Sequence, residues 1–466
     1  MTGIPCWISA TLILDFTTSV TQSELQAHLE DAWIAARSRH PLLGTRFRQD
    51  LTSPVVEYTD IASENSVRQW ATSTLRYIPI DKANLELGDL EPFGEVPPSN
   101  TSETASDFYL WYFLPNQGQG SVRRAALTIW VNHVLSDGTS PRIILSDIRR
   151  FLADPTSPEL RVSWGTDAVK TEQRGRLTVP TPAALAPEYR DAGIFDVQEF
   201  RHRLLTATKN FRLVPRSPIQ PPLTSPFGHV IHRLTKEETT SLMAAARRNS
   251  LTVTPVILAA LVLRLALKYG RKWPFPRDAV FTDIFPADAR ATLADTRAVG
   301  LHAVYDVVTL RIGEHLTGRN KEDVEQDLTG VILRLAEEGQ AAYNLSRPVE
   351  GRAARARESE RTCETIMKTT EVNFNAIPTH LYSDAVIREN TLETNVPYTK
   401  GGLDTTVADY DLSVKVLIDV LLCRAWMFGE QTSLTIDFSY AFYRHEEIRD
   451  FVIQWKNDLL AFCEKV

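Results

Sequence analysis

Apolar and polar positions along the chain alternate between two periods, and that alternation lays out the elements. "CWISATLILDF" near the start has the β-branched and aromatic content of a strand. In "TQSELQAHLEDAWIAARSRHP", Leu25, Leu29 and Trp33 recur every four residues, giving one apolar helix face. Thr21 and Glu24 have capping-box spacing at its start, and Pro41 ends it. "GTRFRQ" and "VVEYTD" read as a hairpin, and residues 85–107, acidic and Pro-rich, as a surface loop. "FYLWYFLP" and "AALTIWVNH" are the next strands. The second is apolar on both faces, as in a covered central strand. After it, Ser140 is placed to cap a helix with Pro141 in its first turn and Ile144, Ile148 and Phe151 on its buried face.

From Ala153 to Gly228 the chain is Pro-rich, with one helix around "DVQEFRHRLLTATKNF". Strand "HVIHRL" opens the second half. A helix from Thr235 follows, with a second capping box to Glu238, and then the buried helix "TVTPVILAALVLRLALKYG". "DAVFTDIFPADAR", "AVYDVVTLRI", "TEVNFNAIP", "LSVKVLIDVLL" and "SLTIDFSYAF" read as strands. The chain closes on an amphipathic helix carrying Ile448, Val452, Trp455, Leu459 and Phe462. Three regions follow: residues 1–170, a crossover 171–228, and residues 229–466, both halves mixing strands and helices.

Composition narrows the function classes. At about 100–200 residues per domain, 466 residues suit two large domains. The net charge of −7, without basic clustering, argues against nucleic acid as a partner. The four cysteines, Cys6, Cys363, Cys423 and Cys463, have neither metal-ligand nor disulfide-framework spacing. The N-terminus lacks a basic signal-peptide region, and the longest apolar run is interrupted by Arg264. A cytoplasmic protein, with no membrane partner, is expected.

The candidate chemistry lies in "VNHVLSDGTS", where His133 leaves a strand and Asp137 and Gly138 follow. A general base must be neutral near pH 7, hold one tautomer and reach its proton. A histidine at the end of a rigid strand meets the positional need. Asp137 can fold back to brace the loop, and Gly138 allows a close turn or a positive φ. By itself the pattern fits a structural histidine equally. A strong strand before it and a well-marked helix after it favour a site, because active groups collect at strand ends in such folds.

Five ordered segments resemble the superfamily of CoA- and carrier-dependent acyltransferases, which includes chloramphenicol acetyltransferase, plant-type hydroxyl acyltransferases and peptide-synthetase condensation domains. They are "SELQAHLEDAWIAARSRHPLLGTRF", the HxxxDG match at His133, Asp137 and Gly138, "EETTSLMAAARRNSLTVTPVILAALVLRLA", "FPADAR" and "TIDFSYAFYRHEEIRDFVIQW". Within that group the likeness is to fungal secondary-metabolite enzymes of the trichothecene 15-O-acetyltransferase type. The resemblance implies an α/β fold of two chloramphenicol-acetyltransferase-like subdomains in a V with a central tunnel. It implies His133 as general base and no acyl-enzyme, consistent with the lack of a GxSxG elbow. It makes Asp137 a structural residue paired with Arg290 of "FPADAR". Acyl-CoA would be a co-substrate, with no permanently bound cofactor, and a small hydrophobic alcohol would be the acceptor.

Two departures move the reading away from peptide-bond formation. Asn132 stands where condensation domains usually carry another histidine, and Gly44 where they usually carry arginine. The plant-type D-F-G-W-G segment is absent. Asn373 and Asn375 are candidates for an oxyanion or substrate contact, though strand-end polar residues serve other ends too. Histidines 229, 232 and 302 read as structural. The basic runs at Arg247–Asn249 and "GRAARARESER" read as solvated helix faces, and Asp404, Asp409 and Asp411 lack the partners of a metal site. Two alternatives remain open: condensation from a carrier-protein thioester, and use of the tunnel to cyclise, rearrange or merely bind a hydrophobic intermediate.

Overall fold

The computed structural model describes residues 7–48, 55–82, 85–90, 107–115, 121–177, 179–191, 193, 195–206, 227–270, 273, 275–346, 348–362, 380–386, 399–415 and 419–465. Asn373, Asn375, Cys6, Cys363 and the segment "TEVNFNAIP" lie outside the described residues. In chain order the strands are β1 (Trp7–Val20), β2 (Thr45–Arg48), β3 (Val55–Tyr58), β4 (Leu75–Ile80), β5 (Phe108–Pro115), β6 (Val122–Asn132), β7 (Phe227–Arg233), β8 (Phe281–Asp288), β9 (Ala303–Leu310), β10 (His380–Val386), β11 (Thr405–Val414), β12 (Leu421–Phe428) and β13 (Gln431–Ser439). The longer helices are α1 (Gln22–Arg39), α2 (Glu64–Thr74), α3 (Ser140–Ala153), α4 (Lys236–Arg248), α5 (Val253–Tyr269), α6 (Leu328–Ser346) and α7 (His445–Lys465).

The chain forms two compact units, neither continuous in sequence. The first comprises Met1–Pro180, Arg297–His302 and Ile387–Val414. The second comprises Thr181–Thr296, Ala303–Val386 and Lys415–Val466. The first unit is thus completed by two segments from the later part of the chain.

In the first unit a five-stranded sheet has the order β11-β1-β6-β5-β4. β1 is antiparallel to both β11 and β6, and β4 runs parallel to β5. β1 and β6 are buried on both faces over most of their length, which explains their near-continuous apolar sequence. β1 extends to Val20, beyond the run expected to form it. Helix α1 has the complete capping box between Thr21 and Glu24 and ends at Arg39, ahead of Pro41. Its stripe Leu25, Leu29 and Trp33 is buried, and the Trp33 indole N–H donates to Thr74 Oγ1 of α2 at 2.9 Å. β2 and β3 form the expected antiparallel pair.

The second unit has a four-stranded sheet, β10-β12-β13-β7, and a separate antiparallel pair, β8 and β9. Its core gathers α4, α5, α6 and α7 on one face of the larger sheet, through Val230, Cys423, Leu434, Ile436 and Phe438. The C-terminal stripe Ile448, Val452, Trp455, Leu459 and Phe462 is entirely buried. Among the described residues no single helix is long and apolar enough to cross a membrane, and apolar α5 is buried along nearly its whole length.

One expected strand is corrected. "LSVKVLIDVLL" is not one element: Leu412–Val414 closes β11 and Leu421 opens β12. Apolar, β-branched residues on both sides of Lys415 and Asp419 hid the boundary. Asp409 and Asp411 disguised the preceding residues of β11, whose partly exposed positions tolerate carboxylates.

Candidate active site

His133 follows the last residue of β6 and begins a turn. Its ring is partly buried, and Nδ1 lies 2.9 Å from the carbonyl oxygen of Ser136. A carbonyl can only accept, so Nδ1 carries the proton in the neutral ring and Nε2 presents the lone pair. The turn thereby selects the tautomer and fixes the ring plane, which are the two things a base on this strand end needs.

The residue before it is a brace that the sequence treated only as a missing histidine. Asn132, 2% exposed, donates from Nδ2 to Asp107 Oδ1 at 2.9 Å and accepts from the Val134 N–H at 3.0 Å. Its own N–H reaches the Asp107 carbonyl at 2.9 Å. Asp107 also accepts from the Phe47 N–H. Burial pushes the Asp107 carboxyl up, against the lowering effect of those two donors. The side chain of Asn132 therefore ties both the end of β6 and the first peptide of the turn to β5's entry.

Asp137 is 3% exposed, and its described bonds run to the start of α3 and to His302. Oδ1 accepts from the Thr139 N–H at 3.1 Å, the Ser140 N–H at 3.1 Å and the Ser140 hydroxyl at 3.0 Å. Oδ2 accepts from the His302 N–H at 2.9 Å. This corrects the expected cap. Ser140 is the first residue of α3, and Thr139 at the cap position makes no side-chain bond. The carboxylate of Asp137 satisfies the helix's leading N–H groups, where the helix dipole also favours an anion. The Ser140 hydroxyl accepts from the Gly300 N–H at 3.0 Å and lies 2.9 Å from the Gly300 carbonyl.

Gly138 behaves differently from its sequence expectation. It does not take a positive φ. A Cβ there would meet Leu412 Cδ2 at 3.5 Å, an ordinary contact. We expect Gly138→Ala to change unfolding stability by no more than about 1 kcal/mol, read by urea titration. With the fold unaffected, any loss of turnover in that variant measures the space a bound molecule needs beside the turn.

Arg290 lies in the second unit directly after β8, 3% exposed; its Nη1 and backbone N–H each reach Asp288 Oδ1 at 3.0 Å. Of the histidines read as structural, His302 supplies its backbone N–H to Asp137, and His229 Nδ1 donates to the buried Asp437 at 2.7 Å. Burial and the nearby Lys456 charge push His232 down. The sequence reading did not single out Asp107, Ser136, Gly300 or Asp147 (described below). Ser136 lies within the His133 motif but acts through its backbone carbonyl, which residue spacing does not reveal. The other three share no local motif with His133, and their bonds appear only once β5, α3 and residues 297–302 are placed.

The fold that carries these residues belongs to a known class. The fold matches that of trichothecene 15-O-acetyltransferase TRI3 from Fusarium sporotrichioides with a TM-score of 0.75, over 98% of this chain and 91% of that one, at 18% identity. It also matches polyketide synthase associated protein 5 of Mycobacterium tuberculosis (TM-score 0.56, 16% identity, 99% and 94% of the two chains). The epimerization domain from the third module of tyrocidine synthetase B gives a TM-score of 0.56 at 13% identity, over 97% and 92%. The chain is therefore a mixed α/β protein of the chloramphenicol-acetyltransferase and condensation-domain fold.

Within that class its sequence is more specific. Residues 8–344 match the family described as 15-O-acetyltransferase Tri3, and the chain belongs to that family. No curated protein is similar to it in sequence at a significant level.

Proposed function

We propose that the protein is an O-acyltransferase that moves an acetyl group from acetyl-CoA to a hydroxyl of a hydrophobic, trichothecene-like alcohol. The observation that carries this reading is the bond from His133 Nδ1 to the Ser136 carbonyl, which leaves Nε2 as the basic nitrogen. Nε2 takes the acceptor's hydroxyl proton as its oxygen attacks the thioester carbonyl. The tetrahedral oxyanion collapses, the C–S bond breaks, and the imidazolium returns the proton to the departing thiolate. Family membership supports acetyl as the acyl group and CoA as its carrier.

The reading includes two subdomains in a V with a tunnel between them, supported by the likeness of fold to TRI3. It also includes Arg290 as a countercharge to Asp137, supported by the burial of both side chains. Asn373 and Asn375, in "EVNFNAIP", are proposed as amide donors to the oxyanion.

The test is release of free thiol from acetyl-CoA and longer acyl-CoAs, measured with a panel of trichothecene-type alcohols. Alcohol-dependent thiol release matched by ester formation is expected, with acetyl-CoA the preferred donor. Tight binding of the alcohol without release from any donor would replace transfer with a binding role.

A further inference from the structure

The segment Arg297–His302 belongs to the first unit, although the chain on either side of it belongs to the second. It is a six-residue strap laid against the turn that follows His133. One end is bound to that turn. The Gly300 carbonyl accepts from the Asp137 N–H at 3.3 Å, the Gly300 N–H donates to Ser140 Oγ at 3.0 Å, and the His302 N–H donates to Asp137 Oδ2 at 2.9 Å.

The other end is bound to α3. Arg297 Nη2 donates to Asp147 Oδ1 at 2.7 Å. Asp147 has a fully buried side chain, and its other oxygen is already engaged. Oδ2 accepts from Arg39 Nε at 3.0 Å and from His40 Nε2 at 2.7 Å. Arg150 lies 3.5 Å away, and Glu159 pairs with Arg39 on the outer side. Burial alone would raise the Asp147 carboxyl, but the His40 hydrogen bond and the Arg297 and Arg39 charges hold it at about 2. Asp147 is thus a fixed, ionised post for the strap.

The connection to His133 runs through one peptide group. The Ser136 carbonyl that accepts from His133 Nδ1 and the Asp137 N–H that donates to Gly300 belong to the same planar unit. That plane cannot rotate without disturbing both bonds. Holding Gly300 in place therefore holds the carbonyl that selects the histidine's tautomer.

We propose that Asp147 and Arg297 are positioning residues for His133, acting through the strap Arg297–His302 and the Ser136–Asp137 peptide plane. The proposal rests on His133 as the base, yet its central claim, that the strap fixes the ring, can be measured without turnover.

The experiment uses full-length protein with ¹⁵N-labelled histidine, the His133 signals assigned by their loss in His133→Gln. Wild type should show His133 with a fixed Nδ1–H. Arg297→Ala should show a mixture of tautomers while keeping its far-UV circular dichroism. Arg297 is 30% exposed, so its truncation does not open the core. Arg297→Lys keeps a cation on Asp147 and should restore much of the fixed tautomer; Asp147→Asn, which keeps an acceptor without the charge, should fall between. In turnover, Arg297→Ala should lower kcat roughly ten- to a hundredfold with KM for acetyl-CoA little changed. An unchanged His133 signature in folded Arg297→Ala overturns the proposal, as does an unchanged kcat. If His133→Ala itself retains turnover, the base assignment fails, while the tautomer measurement still judges the strap.

Discussion

Replacing His133 with alanine is expected to lower acetyl-CoA-dependent thiol release by about 10²–10⁴-fold, the usual contribution of a positioned acid–base group. Stability should change little, because the ring's described bond is one partly buried contact to the Ser136 carbonyl. Circular dichroism and the urea midpoint should therefore match wild type. His133→Gln is the sharper variant. It keeps a polar side chain of similar reach but has no basic nitrogen, so it should be as inactive as alanine. Turnover in either variant at a substantial fraction of wild type would remove His133 from the chemistry. The loss should fall on kcat, since a base acts on the proton in flight more than on the bound alcohol.

Much of the scaffold around that residue was readable because it is encoded locally. β6, the turn and α3 follow one another in "AALTIWVNHVLSDGTSPRIILSDIRRF", and the strand's apolar faces and the helix's Ile144, Ile148 and Phe151 are features of single elements. The two capping boxes are equally local and both formed. What was not readable depends on pairing across the chain. β11 completes the first unit's sheet beside β1, from about 400 residues downstream along the sequence. No periodicity in "TTVADYD" announces which strand it will join.

The site divides in the same way. His133 stood out because of its spacing and flanks. The role of Asp137 was half readable: a brace was expected, but the helix-capping bonds to Thr139 and Ser140 were assigned to Ser140 itself. The acceptor groups are what distinguish the two. A carboxylate offers two oxygens, so Asp137 can take the helix's leading N–H groups on one and the strap's His302 N–H on the other. The Ser140 hydroxyl, inside the helix's first turn, instead takes the strap's Gly300 N–H and donates to Asp137. Asn132 looked like an omission from a motif, and its second role appears only when Asp107 is placed 2.9 Å away.

The largest stability effect should come from Asp437, in the core of the second unit. It lies on β13 opposite His229 of β7, with no solvent exposure. It accepts from His229 Nδ1 and pairs with Arg424 of β12, itself 4% exposed. Burial would raise this carboxyl, but Arg424, His229 and the Lys415 charge hold it at about 2, against an ordinary value of 3.8. Asp437→Ala leaves a guanidinium buried without its countercharge, and should destabilise the second unit by about 3–5 kcal/mol in urea unfolding. Asp437→Asn retains an oxygen for the His229 donor and should lose less. The sign of the pH dependence follows from the depressed value. The unfolded chain takes up this proton at higher pH than the folded one, so the stabilisation is complete above the ordinary carboxylate range and fades as pH falls. The gap between wild type and Asp437→Asn should therefore be full at neutral pH and narrow as pH falls from about 5 toward about 2. A gap that stays constant over that range would mean the side chain stabilises by shape and hydrogen bonding, with its charge contributing nothing.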